Sequence, residues 1–171
     1  MKIFRKKNSK GMTLVEVVVS ATILIVGLIP VFISISIASN ISIMIKNNII
    51  AANLAQEGVE IVRSIRDSNW YNNRGFADGL IGNWRVDWTT NHSNLISSAG
   101  LESDPYISKG TASGLYGYDA SQAVGTNFKR QVRIVYSDPC NCQIRVESEV
   151  QWFEQGGLKG LVVISYLYDW F

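Results

Sequence analysis

The chain has 171 residues, 47% of them hydrophobic and 18% charged, which fits one domain of ordinary size plus a further segment and excludes a disordered tail. The formal charge of +2 hides an asymmetry: Lys2, Arg5, Lys6, Lys7 and Lys10 crowd the first ten positions, and residues 12–171 together carry −3. The basic character belongs to one short segment and gives no warrant for a nucleic-acid-binding surface elsewhere.

One histidine, His92, and two cysteines, Cys140 and Cys142, are too few donors for a four-ligand structural zinc site or a His-rich catalytic centre. Neither a metal nor a cofactor is expected. The chain also lacks the phosphate-loop, dinucleotide-binding and nucleophile-elbow glycine patterns, and no acid, base or nucleophile constellation is visible, so an enzyme is not expected.

Residues 12–45 contain one charge, Glu16, and residues 17–45 contain none. A hydrocarbon core about 30 Å thick needs about 20 helical residues, so this run can span it. With the basic cluster on one flank and only Lys46 on the other before Arg63, the positive-inside rule puts the N-terminus in the cytoplasm and the rest outside. A cleaved secretory signal ending near Ser36-Ile37-Ala38 would need a much shorter apolar region.

Glu16 lies just inside the apolar run, where a carboxylate costs up to about 3 kcal/mol and calls for a partner. A local explanation is available: Thr13-Leu14-Val15-Glu16 reads as a capping box, which also places the carboxylate at the positive end of the helix dipole. That accounts for Glu16 but not for Gly11 or the basic leader.

Gly11-Met12-Thr13-Leu14-Val15-Glu16, between a Lys/Arg-rich leader and a long apolar helix, closely resembles the cleavage and methylation motif of type IV prepilins and type II secretion pseudopilins. The resemblance implies that residues 1–11 are a leader and that a prepilin peptidase cuts after Gly11 and methylates the new amine of Met12. It further implies that Glu16 pairs with the Met12 amine of an adjacent subunit and sets the register of assembly, since a desolvated carboxylate and ammonium are tolerable mainly as a pair. The partners implied are other pilin subunits, the peptidase, an inner-membrane assembly platform and membrane lipid. The competing reading is a single-span anchored extracytoplasmic binding protein or adhesin that never polymerises.

Gly27 and Pro30 interrupt the apolar run, and a kink or melted turn is expected over residues 26–30. From Lys46 the helix becomes amphipathic: Ile50, Leu54, Gly58, Ile61 and Ile65 recur on one side while Gln56, Glu57, Glu60, Ser64 and Asp67 line the other. Residues 46–69 form this second half, ending near Asp67-Ser68-Asn69-Trp70. If residues 13–67 are one helix, they measure about 80 Å.

Residues 70–126 hold eight of the 14 glycines and read as a Gly/Ser/Asn-rich loop region with a short strand near 84–90 and a weaker one at Leu115–Tyr118. Residues 127–171 read as an antiparallel meander. Phe128, Arg130, Val132, Ile134 and Tyr136 alternate with polar neighbours, as do Ile144, Val146, Ser148, Val150 and Trp152, and a third strand over 158–170 is apolar on both faces. Lys129 and Arg133 are expected to face Glu147 and Glu149 across strands. The fold class is α+β, pilin-like, with a long N-terminal helix packed on an antiparallel sheet of about four strands. Asn127–Arg130, Val150–Trp152 and Tyr166–Trp170 resemble minor prepilins of the pilin V or type II secretion protein I kind.

On this head Cys140-Asn141-Cys142 admits three readings: a turn disulfide, two free thiols, or half of an intersubunit contact. The five tryptophans, Trp70, Trp84, Trp88, Trp152 and Trp170, are expected in the core. Asp104, Asp119 and Asp138 are loop carboxylates without calcium-loop spacing, and Arg63, Arg66, Arg74 and Arg85 read as a solvated face rather than a nucleic-acid patch.

Overall fold

The computed structural model describes residues 11–118, 123–154 and 156–170. The leader residues Lys2, Arg5, Lys6, Lys7 and Lys10, and Asp119, lie outside them. One helix, α1 (Leu14–Tyr71), contributes to two compact units, the first ending at Ile43 and the second beginning at Met44.

In the first unit α1 is apolar on every side, and Leu24, Val26, Phe32 and Ile35 are each more than half exposed. A helix without a polar face has an apolar medium as its solvent, and this one is long and apolar enough to cross a bilayer. Four of its six hydroxyls turn inward on the helix. Ser20, Thr22, Ser34 and Ser42 donate to the carbonyls of Glu16, Val18, Pro30 and Ala38 at 2.7–2.8 Å. Residues 26–30 are helical, with Gly27 and Pro30 inside α1.

In the second unit α1 buries Ala51, Leu54, Ala55, Gly58, Val59, Val62 and Ile65. The buried stripe is offset from the expected one: Ile50 and Ile61 sit on its rim, and the small residues Ala51 and Ala55 take the centre. The helix runs past the expected stop and ends in a Schellman motif. Asn73 adopts the left-handed conformation (φ 53°), Asn73 N–H donates to Trp70 O (3.0 Å), and Arg74 N–H donates to Asn69 O (2.8 Å). The Asn69 side chain then holds the departing loop by donating to Asp78 O at 2.9 Å.

The sheet against this helix has five antiparallel strands rather than about four. They are β1 (Gly82–Arg85), β2 (Ile96–Ser97), β6 (Phe128–Tyr136), β7 (Gln143–Glu154) and β8 (Gly157–Tyr168), in the order β2-β1-β6-β7-β8. A second sheet, absent from the expectation, joins β3 (Ser108–Gly110), β4 (Tyr116–Gly117) and β5 (Ala123–Gly125) in the order β4-β3-β5. The strand expected near 84–90 is β1. It stops at Arg85 because Asp87 folds the chain into a turn, accepting from Thr89 N–H (3.0 Å) and from the hydroxyls of Thr89 and Thr90 (2.6 and 3.1 Å).

The long strands pair in the phase the alternation predicts: Phe128 opposite Trp152, Arg130 opposite Val150, Val132 opposite Ser148, Ile134 opposite Val146. The cross-strand charges pair only in part. Arg133 faces Glu147, but Glu147 is held by Arg145 (3.1 Å); Lys129 faces Gln151 and donates instead to Glu102 O (2.7 Å). Strand β8 forms one edge, turned from β7 at Gly156 (φ 76°), and its outer face leaves Leu158, Val162, Ile164, Tyr166 and Tyr168 about half exposed.

Two apolar clusters fill the space under the helix. One gathers Val59, Val62 and Ile65 with Leu80, Val86, Val132, Ile134, Ile144, Val146 and Leu167; the other gathers Ala51, Leu54 and Ala55 with Ile107, Phe128, Val150 and Trp152. Between them on α1 lies Gly58. A Cβ there would meet Ser148 Oγ at 2.5 Å and Val132 Cγ2 at 3.0 Å, so the missing side chain is what lets the helix approach the sheet.

Candidate functional site

The N-terminal motif is built from one backbone turn. Val17 N–H donates to Thr13 O (3.1 Å) as the first helical bond, and Thr13 Oγ1 accepts from Glu16 N–H (3.3 Å), capping an otherwise unpaired donor. Glu16 therefore sits in the first turn, exposed, where the helix dipole favours a negative charge. Gly11 and Met12 precede the helix. Met12 is exposed, and among the described residues no atom lies within 4 Å of the place a Gly11 Cβ would occupy. The Gly11–Met12 peptide bond is thus outside regular structure and sterically open, as a protease requires of a substrate segment.

Residues 6–32 match the family model of the prokaryotic N-terminal methylation motif. The chain carries a prepilin methylation motif. That motif supports reading the chain as a pilin- or pseudopilin-type substrate of prepilin peptidase, and with the apolar helix supports membrane anchoring. The α+β fold, a long N-terminal helix on antiparallel sheets, is that of a pilin-like protein. No curated protein and no solved structure matches the chain.

On the head of this pilin-like chain, the other residues singled out from sequence scatter. Arg63 pairs with Glu60 (2.6 Å), and Arg85 lies 3.9 Å from the Asp104 carboxylate. Arg66 is buried, pairs with Asp67 (2.8 Å) and stacks on Trp70 and Trp170, 4.5 and 5.2 Å from their ring centroids. Arg63, Arg66 and Arg85 are each committed to a local carboxylate. Of the tryptophans Trp152 is core, whereas Trp88 and Trp170 are 60% and 66% exposed. Asp104 is buried and accepts from Ala99 N–H (3.1 Å) and the Ser98 hydroxyl, which accounts for its carboxylate without an ion. Cys140 and Cys142 are joined as a disulfide in the β6–β7 turn, beside Asp138.

Asp87 is buried, and burial alone would push its carboxyl up. The hydrogen bonds from Thr89, from Tyr118 N–H (3.2 Å) and from Thr90 outweigh this and hold it below the ordinary carboxylate value. A depressed folded-state pKa stabilises the fold above the unfolded-state value and ceases to do so as pH falls through the folded one. Replacing Asp87 by Asn is therefore expected to lower stability at neutral pH and to flatten its acid dependence below the ordinary carboxylate range, as read by denaturant titrations at a series of pH values. An unchanged acid slope would remove Asp87 as the cause.

The residue that most shapes the head is Arg130, whose place in the apolar phase of β6 was the available signal. It is 0% exposed and spans three elements: Nη1 donates to Leu54 O on α1 (2.7 Å) and lies 3.5 Å from Glu57, and Nη2 donates to Val86 O after β1. Its own carbonyl accepts from the Tyr118 hydroxyl (3.1 Å). Ser148, in the apolar phase of β7, has a buried hydroxyl without a hydrogen-bond partner.

Proposed function

We propose that the protein is a minor pilin or pseudopilin: a single-pass inner-membrane precursor, cut after Gly11 and N-methylated on Met12, that joins a type IV pilus-like filament with its head outside the cytoplasm. The methylation motif carries this reading. Its partners on this reading are other pilin-like subunits, prepilin peptidase, the inner-membrane assembly platform and the surrounding lipid, and its role is structural. The apolar helix would serve first as membrane span and then as the packing element of the filament. Glu16 would neutralise the Met12 amine of a neighbour, two groups that each cost several kcal/mol when desolvated alone.

The test is intact-mass and N-terminal peptide mass spectrometry on the chain from membranes of a peptidase-bearing host. A 160-residue product beginning at N-methyl-Met12 is expected, with Gly11→Val leaving the precursor uncut because a β-branched side chain would crowd the scissile bond. A wild-type chain that keeps residues 1–11 beside active peptidase would overturn the reading and leave an anchored binding protein.

A further inference from the structure

We propose that the β6–β7 turn is a redox-gated site for a thiophilic divalent cation, held by the thiolates of Cys140 and Cys142 and the carboxylate of Asp138. The ligand atoms of these three residues all lie within 4.8 Å of one another, and both cysteines are exposed, so a cation can reach them. Asn141 between them takes the left-handed conformation (φ 57°) and brings the two cysteine Cα atoms to 5.3 Å. Asp138 Oδ2 lies 2.6 Å from Cys140 Sγ.

The turn does not depend on sulfur for its shape. Ser137 N–H donates to Gln143 O (3.0 Å) at its base, Asp138 accepts from Gln143 N–H (3.0 Å) and Cys142 N–H (3.3 Å), and Cys142 O accepts from Asp169 N–H (2.8 Å). These bonds persist when the disulfide opens, so the donors stay gathered. In the oxidised form the sulfurs are spent on each other. A dithiol reductant transfers two electrons, the S–S bond breaks, Cys140 and Cys142 become thiols, and the reductant becomes a disulfide. Binding a divalent cation then releases the two thiol protons to solvent. Two sulfurs and one carboxylate oxygen suit Zn²⁺, with water in the fourth position; Cu⁺ would be satisfied by the two sulfurs and indifferent to Asp138. The site is independent of the filament reading.

The test uses the full chain in detergent, reduced with a phosphine that is then removed, and Zn²⁺ titrated against a chromophoric chelator. One equivalent is expected to bind the reduced chain with release of two protons, none the oxidised chain, and none the reduced Cys140→Ser/Cys142→Ser chain. Asp138→Asn, which keeps one acceptor oxygen for the shorter of the two turn bonds, from Gln143 N–H, is expected to weaken Zn²⁺ at least tenfold while its oxidised form unfolds near the wild-type denaturant midpoint. Equal binding by the oxidised or the double-serine chain, no binding by the reduced chain, or an Asp138→Asn affinity equal to wild type would each overturn the proposal, as would a shifted midpoint, which would reduce Asp138 to a structural role.

Discussion

Replacing Glu16 by Ala is expected to leave processing at Gly11 intact and to reduce the chain's recovery in filaments tenfold or more. The variant removes the carboxylate that would meet a neighbour's Met12 amine, leaving an ammonium to be desolvated without a counter-charge at a cost of several kcal/mol. Insertion of the precursor should not suffer, because removing a carboxylate from an apolar run relieves up to about 3 kcal/mol. Thr13→Ala separates this from helix capping. It deletes the acceptor for Glu16 N–H (3.3 Å) but keeps the charge, and should cost about 1 kcal/mol of helix stability with little change in recovery. The measurement is the ratio of chain in sheared filaments to chain in membranes; a wild-type ratio for Glu16→Ala would end the register role.

Arg130→Met should lower the stability of the head by about 3 kcal/mol, although Met is apolar and of similar length. The loss arises because Arg130 is a buried three-way tie. Without its guanidinium, Val86 O loses a charged donor, Leu54 O on α1 a second one, and the Glu57 carboxylate its counter-charge. Arg130→Lys should recover little, since one ammonium cannot reproduce a planar fork reaching two carbonyls on different elements. Ser148→Ala, by contrast, removes a buried hydroxyl that has no partner and should be neutral or stabilising. Denaturant unfolding followed by tryptophan emission reads all three, with Trp152 buried in the neighbouring cluster. A loss under 1 kcal/mol for Arg130→Met would show that the carbonyls find other donors.

The contrast between these two sites explains what could be read from the chain alone. Glu16 and Gly11 belong to a linear motif whose meaning is carried by spacing, and long elements announce themselves by period: the uncharged run to Ile45, and the alternation through Phe128–Tyr136 and Ile144–Trp152. Strands of two or three residues such as Ile96–Ser97 and Ser108–Gly110 contain no full period, so the extra edge of the main sheet and the partners of Tyr116–Gly117 in the small sheet leave no mark in the sequence. The stop of α1, expected near Asp67–Trp70, falls at Tyr71, and the left-handed Asn73 that closes it leaves a weaker mark in sequence than glycine. The offset of its buried stripe follows from Gly58. With no side chain to hold the helix off, the closest approach falls at Ala55, Gly58 and Val62 rather than at the bulkier Ile50 and Ile61. Arg130 and Ser148 are visible as polar residues in an apolar phase, but what Arg130 touches depends on Leu54 and Val86, 76 and 44 positions away.

Four of the six hydroxyls of the apolar helix turn back onto the carbonyl one turn earlier, which leaves Ser20, Thr22, Ser34 and Ser42 with no donor proton to offer outside the helix. At these four positions the helix asks nothing polar of its surroundings. Lipid tails and the apolar flanks of other helices are then nearly interchangeable solvents for it, and moving from one to the other breaks no hydrogen bond. A helix of this kind is anchored firmly against water yet held loosely by any particular neighbour, which lets it be transferred lengthwise between two apolar environments without unfolding.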